Sequence, residues 1–223
     1  MLGILYLFLC IGVGWLICSI AYPNLATLAG TDCYKRRIEL SPLIILFPAW
    51  FAVGVLAMTW PVYILAYIFR SKPAPLIYAN LIVMSLAGLI LILMVARSLL
   101  ARKTAGNAAC GGIKLASLLC RDKRVLRGEL LLFLAVALLA CILMWTTFFI
   151  KDSKLYVGLT VISDFSPHIG MIRSFSYGNN FPTSYSHYAG EDIRYHFMFQ
   201  FLVGNLEFLG MRLDYAFNLP SII

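Results

Sequence analysis

Charge is scarce in this sequence. Only 13% of its 223 residues are Asp, Glu, Lys or Arg, against ~25% in soluble domains, and just ten of them are acidic. So little ionisable surface excludes an ordinary soluble globule. Histidine is scarcer still, with three residues that all fall between positions 163 and 196. No CxxC occurs, and the six cysteines are scattered. Cys10, Cys18 and Cys141 lie in apolar runs and Cys33, Cys110 and Cys120 in connectors, a pattern that indicates neither a disulfide framework nor a zinc site. A phosphate loop is missing too. Gly106 and Gly111 have its GxxxxG spacing, but Gly112 and Ile113 stand where Lys and Ser or Thr are required. The net charge of +8 points to no nucleic-acid partner, because the basic residues are concentrated in connectors between apolar runs, where membrane topology accounts for them.

What the chain has in abundance is long apolar runs. Hydrophobic residues make up 61% of it, and its mean hydropathy is +0.87. The pattern predicts an all-α, polytopic integral membrane protein with four transmembrane helices, because ~20 apolar residues cross a ~30 Å hydrocarbon core. The expected spans are Leu2 to Tyr22, Leu43 to Phe69, Leu76 to Ala96 and Leu130 to Ile150. The first run lacks a basic n-region and is long for a signal peptide, so it is read as a retained helix. Pro48 and Pro61 fall inside the second span, where packing kinks are expected. Lys35, Arg36 and Arg37 sit in the first connector and eight basic residues in the loop 97–129. Such excess marks the cytoplasmic side. A short interfacial helix is expected around Ile113 to Cys120. By alternation, the N-terminus and residues 151–212 fall on the non-cytoplasmic side, giving a multi-pass cell-membrane protein anchored in the lipid bilayer. The organisation is then 1–150 as a four-helix membrane region, 151–212 as an outer loop with short interfacial helices, and 213–223 as the start of a further, truncated membrane helix.

The outer loop holds every histidine and the chemistry. Ser166 and Pro167 look like a helix start, an N-cap hydroxyl before a first-turn proline, with the helix running to about Phe175. Tyr177, Gly178, Asn179 and Asn180 are suited to ending it. A second helix is expected after Gly190, opening with Glu191 and Asp192, and Phe197 to Leu209 is expected to lie as an interfacial helix. Asp164 follows a membrane helix, where a carboxylate can act as a general base toward a hydroxyl; the competing reading is a cap or Asx-turn residue. His168, four residues on, can share its face as hydrogen-bond partner or phosphate contact. Asp192 and His196 have i, i+4 spacing. With His187 and Glu191 they offer imidazole and carboxylate to a divalent metal ion, although no specific metal motif is matched; a charge-paired, solvent-facing turn is the alternative. Arg194 can neutralise a neighbour or reach a phosphate, and Tyr177, Tyr185, Tyr188 and Tyr195 can line a sugar-binding surface or simply sit at a membrane interface.

A membrane helix followed by D-x-x-x-H, then GNNFP, then YAGEDIRYHF and a further short helix resembles the first outer loop of the GT-C superfamily of polytopic membrane glycosyltransferases, which includes protein O-mannosyltransferases and lipid A aminoarabinose transferases. The resemblance spans roughly Leu130 to Ile223. It implies that Asp164 deprotonates an acceptor hydroxyl while a polyprenyl-phosphate-linked sugar transfers with inversion. From the local pattern, His168, Tyr188, Arg194, Tyr195 and His196 are expected to contact substrate. The sequence departs from the family in having three membrane helices before the one that leads into this loop. It also lacks the later loops and helices of the family's site, so the chain is expected to be an N-terminal portion. The alternative function is a non-catalytic accessory or transporter-like membrane protein whose outer loop binds a partner or glycan.

Overall fold

The computed structural model of the protein describes residues 2–21, 42–104, 123–188 and 190–223. Four long helices carry the apolar runs: α1 (Leu2–Ala21), α2 (Pro42–Ile68), α3 (Pro75–Thr104) and α4 (Lys123–Thr147). Each contains a stretch long and apolar enough to cross a membrane, namely Leu2–Ala21, Leu46–Ile68, Pro75–Leu100 and Leu130–Thr147. The protein is therefore an all-α polytopic membrane protein, as the composition predicts. The connector with Lys35, Arg36 and Arg37, the Gly111 and Gly112 pair, and the expected helix around Ile113 to Cys120 lie outside the described residues.

Helices α1 and α2 pack backbone to backbone. A Cβ added at Gly14 would collide with the Trp50 carbonyl, and one added at Gly54 would collide with the Cys10 carbonyl. Close approach through small residues is how helices associate in lipid, where no hydrophobic difference drives them together. Helix α4 stands differently: none of its membrane-length stretch is fully buried, and only one face of its second half is partly covered.

The fourth span ends earlier than expected, because Phe148–Lys151 is a strand, β1, rather than helix. It pairs antiparallel with β2 (Lys154–Val157), Phe148 opposite Val157 and Lys151 opposite Lys154. Asp152 and Ser153 take φ of 51° and 59°, the left-handed pair of a tight hairpin turn whose twist matches its strands. The aromatic and β-branched run from Thr146 to Ile150 favours strand over continued helix. The hairpin is fastened by α7 (Leu213–Ile222). Asp214 accepts from the Ile150 N–H at 3.0 Å, and Asn218 donates to the Phe148 carbonyl at 2.8 Å.

Between hairpin and α7 lie a 3-10 turn (Leu159–Val161), α5 (Ile162–Ser176) and α6 (Met198–Phe208). Helix α5 begins five residues before the expected Pro167. Val161 occupies the cap position with no side-chain bond, so Ser166 and Pro167 lie within the helix, supported by its packing rather than by an N-cap. Its end agrees with expectation: Tyr177 follows the last turn, and Asn179 takes a φ of 46°. The expected helix from Glu191 does not form. Gly190 makes its turn at φ 86°, but Asp192 then bridges to Ser184 as an extended pair, and helix resumes only at Met198.

Helix α6 is enclosed by protein rather than laid with one face on lipid, since Gln200 through Glu207 are all buried. It inserts among the ends of the spans. Gly3 donates to the Leu209 carbonyl at 3.3 Å, and Phe201 rests on Tyr63 of α2 with ring centroids 5.2 Å apart. Asn205 exchanges two amide hydrogen bonds with Asn80 of α3, at 2.6 and 3.0 Å. Residues 148–223 thus gather at one end of the bundle, formed by the start of α1, the end of α2 and the start of α3. The basic ends of α3 and α4 lie at the other.

The amide pair and the buried carboxylate each carry a prediction. Replacing Asn205 alone with Leu leaves the Asn80 side-chain oxygen without a donor, its nitrogen keeping only the Leu76 carbonyl, and should destabilise by about 1–3 kcal/mol; the Asn80→Leu, Asn205→Leu double variant should recover part of that loss in detergent melting curves. Asp214 is fully buried. Burial raises its pKa, but the Arg212 guanidinium and the backbone N–H groups of Ile150 and Tyr215 outweigh this, so the carboxyl sits below its usual range. On acidification the unfolded chain therefore binds this proton first. The stabilisation is complete above the ordinary aspartate range and is lost as pH falls through the lower folded value. The melting temperature should drop on acidification more steeply in the wild type than in Asp214→Asn.

Candidate functional site

Asp164 opens α5, and residues one and two turns further on, His168 and Met171, share its face. That face forms one wall of an open cleft of about 210 Å³, lined by Asp164, Pro167, His168, Met171, Tyr185, Tyr195 and Gln200. Asp164 is exposed and has no hydrogen-bond or ion-pair partner among the described residues. The expectation that Asp164 and His168 share a face holds, because the helix runs unbroken between them.

The opposite wall comes from the loop 177–197. Asn180 organises it from within: its side-chain oxygen accepts from the Ser184 N–H at 2.9 Å, while its amide nitrogen donates to the Ser184 carbonyl at 2.8 Å and to Ser174 Oγ at 3.0 Å. Tyr185 N–H donates to the Glu191 carbonyl at 2.9 Å, closing the loop that contains Gly190. Two contacts tie the loop to the membrane helices. Tyr63 and Thr183 share a hydroxyl hydrogen bond of 2.8 Å, and Asn179 donates to the Pro73 carbonyl at 3.1 Å. Tyr185 and Tyr195 are thereby carried to the cleft, Tyr195 with its ring centroid 6.1 Å from that of His168.

The floor is α6, and a buried polar set fixes α5 upon it. Glu207 accepts from Ser176 Oγ at 2.7 Å and from Arg173 at 3.3 Å. Gly204 permits close approach, since a Cβ there would lie 2.6 Å from the Ile172 carbonyl. Gln200, also buried, has an amide orientation that gives both ends a partner: its nitrogen donates to the carbonyls of His196 and Phe197 at 3.1 and 3.2 Å, and its oxygen accepts from His168 Nδ1 at 2.7 Å.

Of the residues singled out in the sequence, Asp164, His168, Tyr185 and Tyr195 meet in the cleft, and the others do not line it. Tyr188 stacks behind Tyr185 at 6.1 Å, and His196 lies against Tyr195 at 3.8 Å. Arg194 pairs with Glu191 at 3.6 Å, both side chains exposed. With no helix there, the i, i+4 relation between Asp192 and His196 lapses. His187 bonds Ser186 at 3.0 Å and lies over Gly170. Among the described residues no three His, Cys, Asp or Glu side chains converge as a metal site. Sequence reasoning missed Met171 and Gln200. For Gln200 a signal was present: Gln200, Gly204 and Glu207 fall at i, i+4 and i+7 in an otherwise apolar run, the spacing of one helix face.

The cleft offers a carboxylate and an imidazole side by side, flanked by tyrosine rings, and among the described residues its lining contains no lysine or arginine. Comparison of the chain with family models, curated proteins and solved structures finds no match.

Proposed function

We propose that the protein is a membrane glycosyltransferase that moves a sugar from a polyprenyl-phosphate donor to an acceptor hydroxyl, with Asp164 as general base. The observation that carries this reading is an exposed carboxylate without a partner, in one cleft with His168 and two tyrosines, at the bundle end where the membrane spans stop. A polyprenyl donor is confined to the bilayer, so a site beside the span ends is where its head group and a water-borne acceptor can meet. In the step proposed, the acceptor oxygen attacks the anomeric carbon and Asp164 takes its proton. The bond from that carbon to the phosphate oxygen breaks, polyprenyl phosphate departs, and configuration inverts. Among the described residues the lining has no lysine or arginine, so the donor phosphate is assigned outside the cleft, to exposed Arg194, which adjoins Tyr195 of the lining in sequence.

The topology supports the non-cytoplasmic face of the cell membrane for this site. Arg97, Arg102, Lys103, Lys123, Arg124 and Arg127 belong to the helix ends opposite the cleft, and short basic connectors favour the cytoplasm. A cysteine introduced at Leu159, which is 86% exposed, should react with a membrane-impermeant maleimide applied from outside intact cells. Labelling only after the membrane is opened would reverse the orientation.

The catalytic role is tested with the protein in membranes and a panel of polyprenyl-phosphate sugars. Asp164→Asn should lower transfer by roughly 10²–10⁴-fold, the usual contribution of a general base, with the melting temperature unchanged. Transfer that survives the substitution would remove Asp164 from the mechanism. A wild-type protein that binds glycan yet transfers from no donor would establish the second reading, a non-catalytic glycan-binding membrane protein.

A further inference from the structure

We infer that Gln200 is a positioning residue that holds His168 in its Nδ1–H tautomer, so that Nε2 is presented to the cleft as a free hydrogen-bond acceptor. The argument begins with the backbone carbonyls of His196 and Phe197, at the entrance to α6. One end of the Gln200 amide lies 3.1 and 3.2 Å from them, and because a carbonyl oxygen can only accept, that end is the nitrogen. Rotating the amide by half a turn would point the Gln200 oxygen at two other oxygens. Gln200 is only 4% exposed, so that repulsion would go unscreened and the buried Gln200 oxygen would have no donor, the nitrogen keeping only His168 Nδ1. The amide orientation is thereby determined by two fixed acceptors.

The consequence passes to His168. The Gln200 oxygen, facing Nδ1 at 2.7 Å, needs a proton from it, so Nδ1 carries the hydrogen. A neutral imidazole has one N–H, which leaves Nε2 with its lone pair on the far side of the ring from buried Gln200. His168 lines the cleft and is only partly buried, one helical turn from the Asp164 carboxylate. The cleft therefore presents two acceptors and asks for a ligand that donates twice, as the neighbouring hydroxyls of a polyol do. The tautomer assignment stands independently of sugar transfer. Only the identity of the donating ligand rests on the proposed function.

The histidine ring nitrogens report this directly. The full chain is placed in lipid nanodiscs with ¹⁵N-labelled histidine, and two-bond ¹H–¹⁵N spectra are recorded at a pH where the imidazoles are neutral. The His168 signals are those lost in His168→Gln. The expected pattern is a protonated Nδ1 and an unprotonated Nε2 at His168. In Gln200→Met, which keeps the length but removes the acceptor, His168 should shift to the Nε2–H form that an unconstrained imidazole favours. A wild-type spectrum showing Nε2–H at His168 overturns the inference, as does a folded Gln200→Met protein that keeps Nδ1–H. Should Gln200→Met fail to fold, the wild-type pattern alone decides. A failed transfer assay leaves this result untouched, and a wrong tautomer leaves Asp164 as the base.

Discussion

A helix of eleven residues sunk among the ends of three membrane spans must bring its own hydrogen-bond partners, because neither water nor lipid will supply them. Helix α6 is that helix, and everything at this end of the molecule depends on how its polar groups are satisfied. Asn205 is matched by an identical amide on α3, each donating to the other. Glu207 is matched by a hydroxyl and a guanidinium on α5, and Gln200 by an imidazole and two backbone carbonyls. An unpaired buried polar group is expensive and a paired one nearly neutral. The pairs therefore act chiefly as a register: α6 can sit among its neighbours in only one position without stranding a group. Apolar packing contributes most of the attraction, with Phe201, Leu202, Val203 and Leu206 all buried, but leucine and phenylalanine do not specify a depth or a rotation.

The same helix then transmits its position to the chemistry. Helix α5 has no side-chain N-cap, and proline within it removes a backbone donor, so little in its own sequence fixes where it lies. Glu207 and Gly204 fix it instead. From that seat Asp164 and His168 face the cleft, and the loop that closes the other side is tied back to α2 and to the α2–α3 turn through Thr183 and Asn179. The cleft is accordingly part of the three-helix bundle of α1, α2 and α3, although its residues follow α4 in the chain.

How much of this could be read from sequence depended on the physical origin of each feature. The four spans follow from length and apolarity, which no tertiary contact needs to modify, and they were legible to within a few residues at most ends. The far end of α4 was not, because Phe148 to Ile150 are as apolar as the helix before them. The β-branched and aromatic run Thr146 to Ile150 leans toward strand, but the turn that completes the hairpin, left-handed at Asp152 and Ser153, carries no glycine to announce it. The start of α5 was misjudged because Ser166–Pro167 is a favourable local signal overridden by packing. The segment after Gly190 was misjudged for the converse reason: acidic residues suited to a helix start are held extended by the bridge to Ser184. In the site, Asp164 and His168 were legible because helix periodicity joins them. Tyr195 reaches them only through the loop, which is no property of local sequence; Gln200 was legible as part of a polar face with Gly204 and Glu207, though the depth of that helix was not.

The contrast between α4 and the other spans bears on how the site is held. Its membrane-length stretch has no fully buried residue, and its firm attachments lie toward its end. There Trp145 meets Tyr215 with ring centroids 5.7 Å apart, and Phe148 packs between Phe165 and Phe217 at 5.1 Å from each. Beyond them Asp214 receives the Ile150 N–H and both arms of Arg212. These contacts form a joint: an aromatic cluster shared by the hairpin, α5 and α7, closed by a buried ion pair. The arrangement separates two tasks. Helix α4 anchors the chain in the membrane, while α6, pinned by its buried amides, sets the geometry at Asp164 and His168.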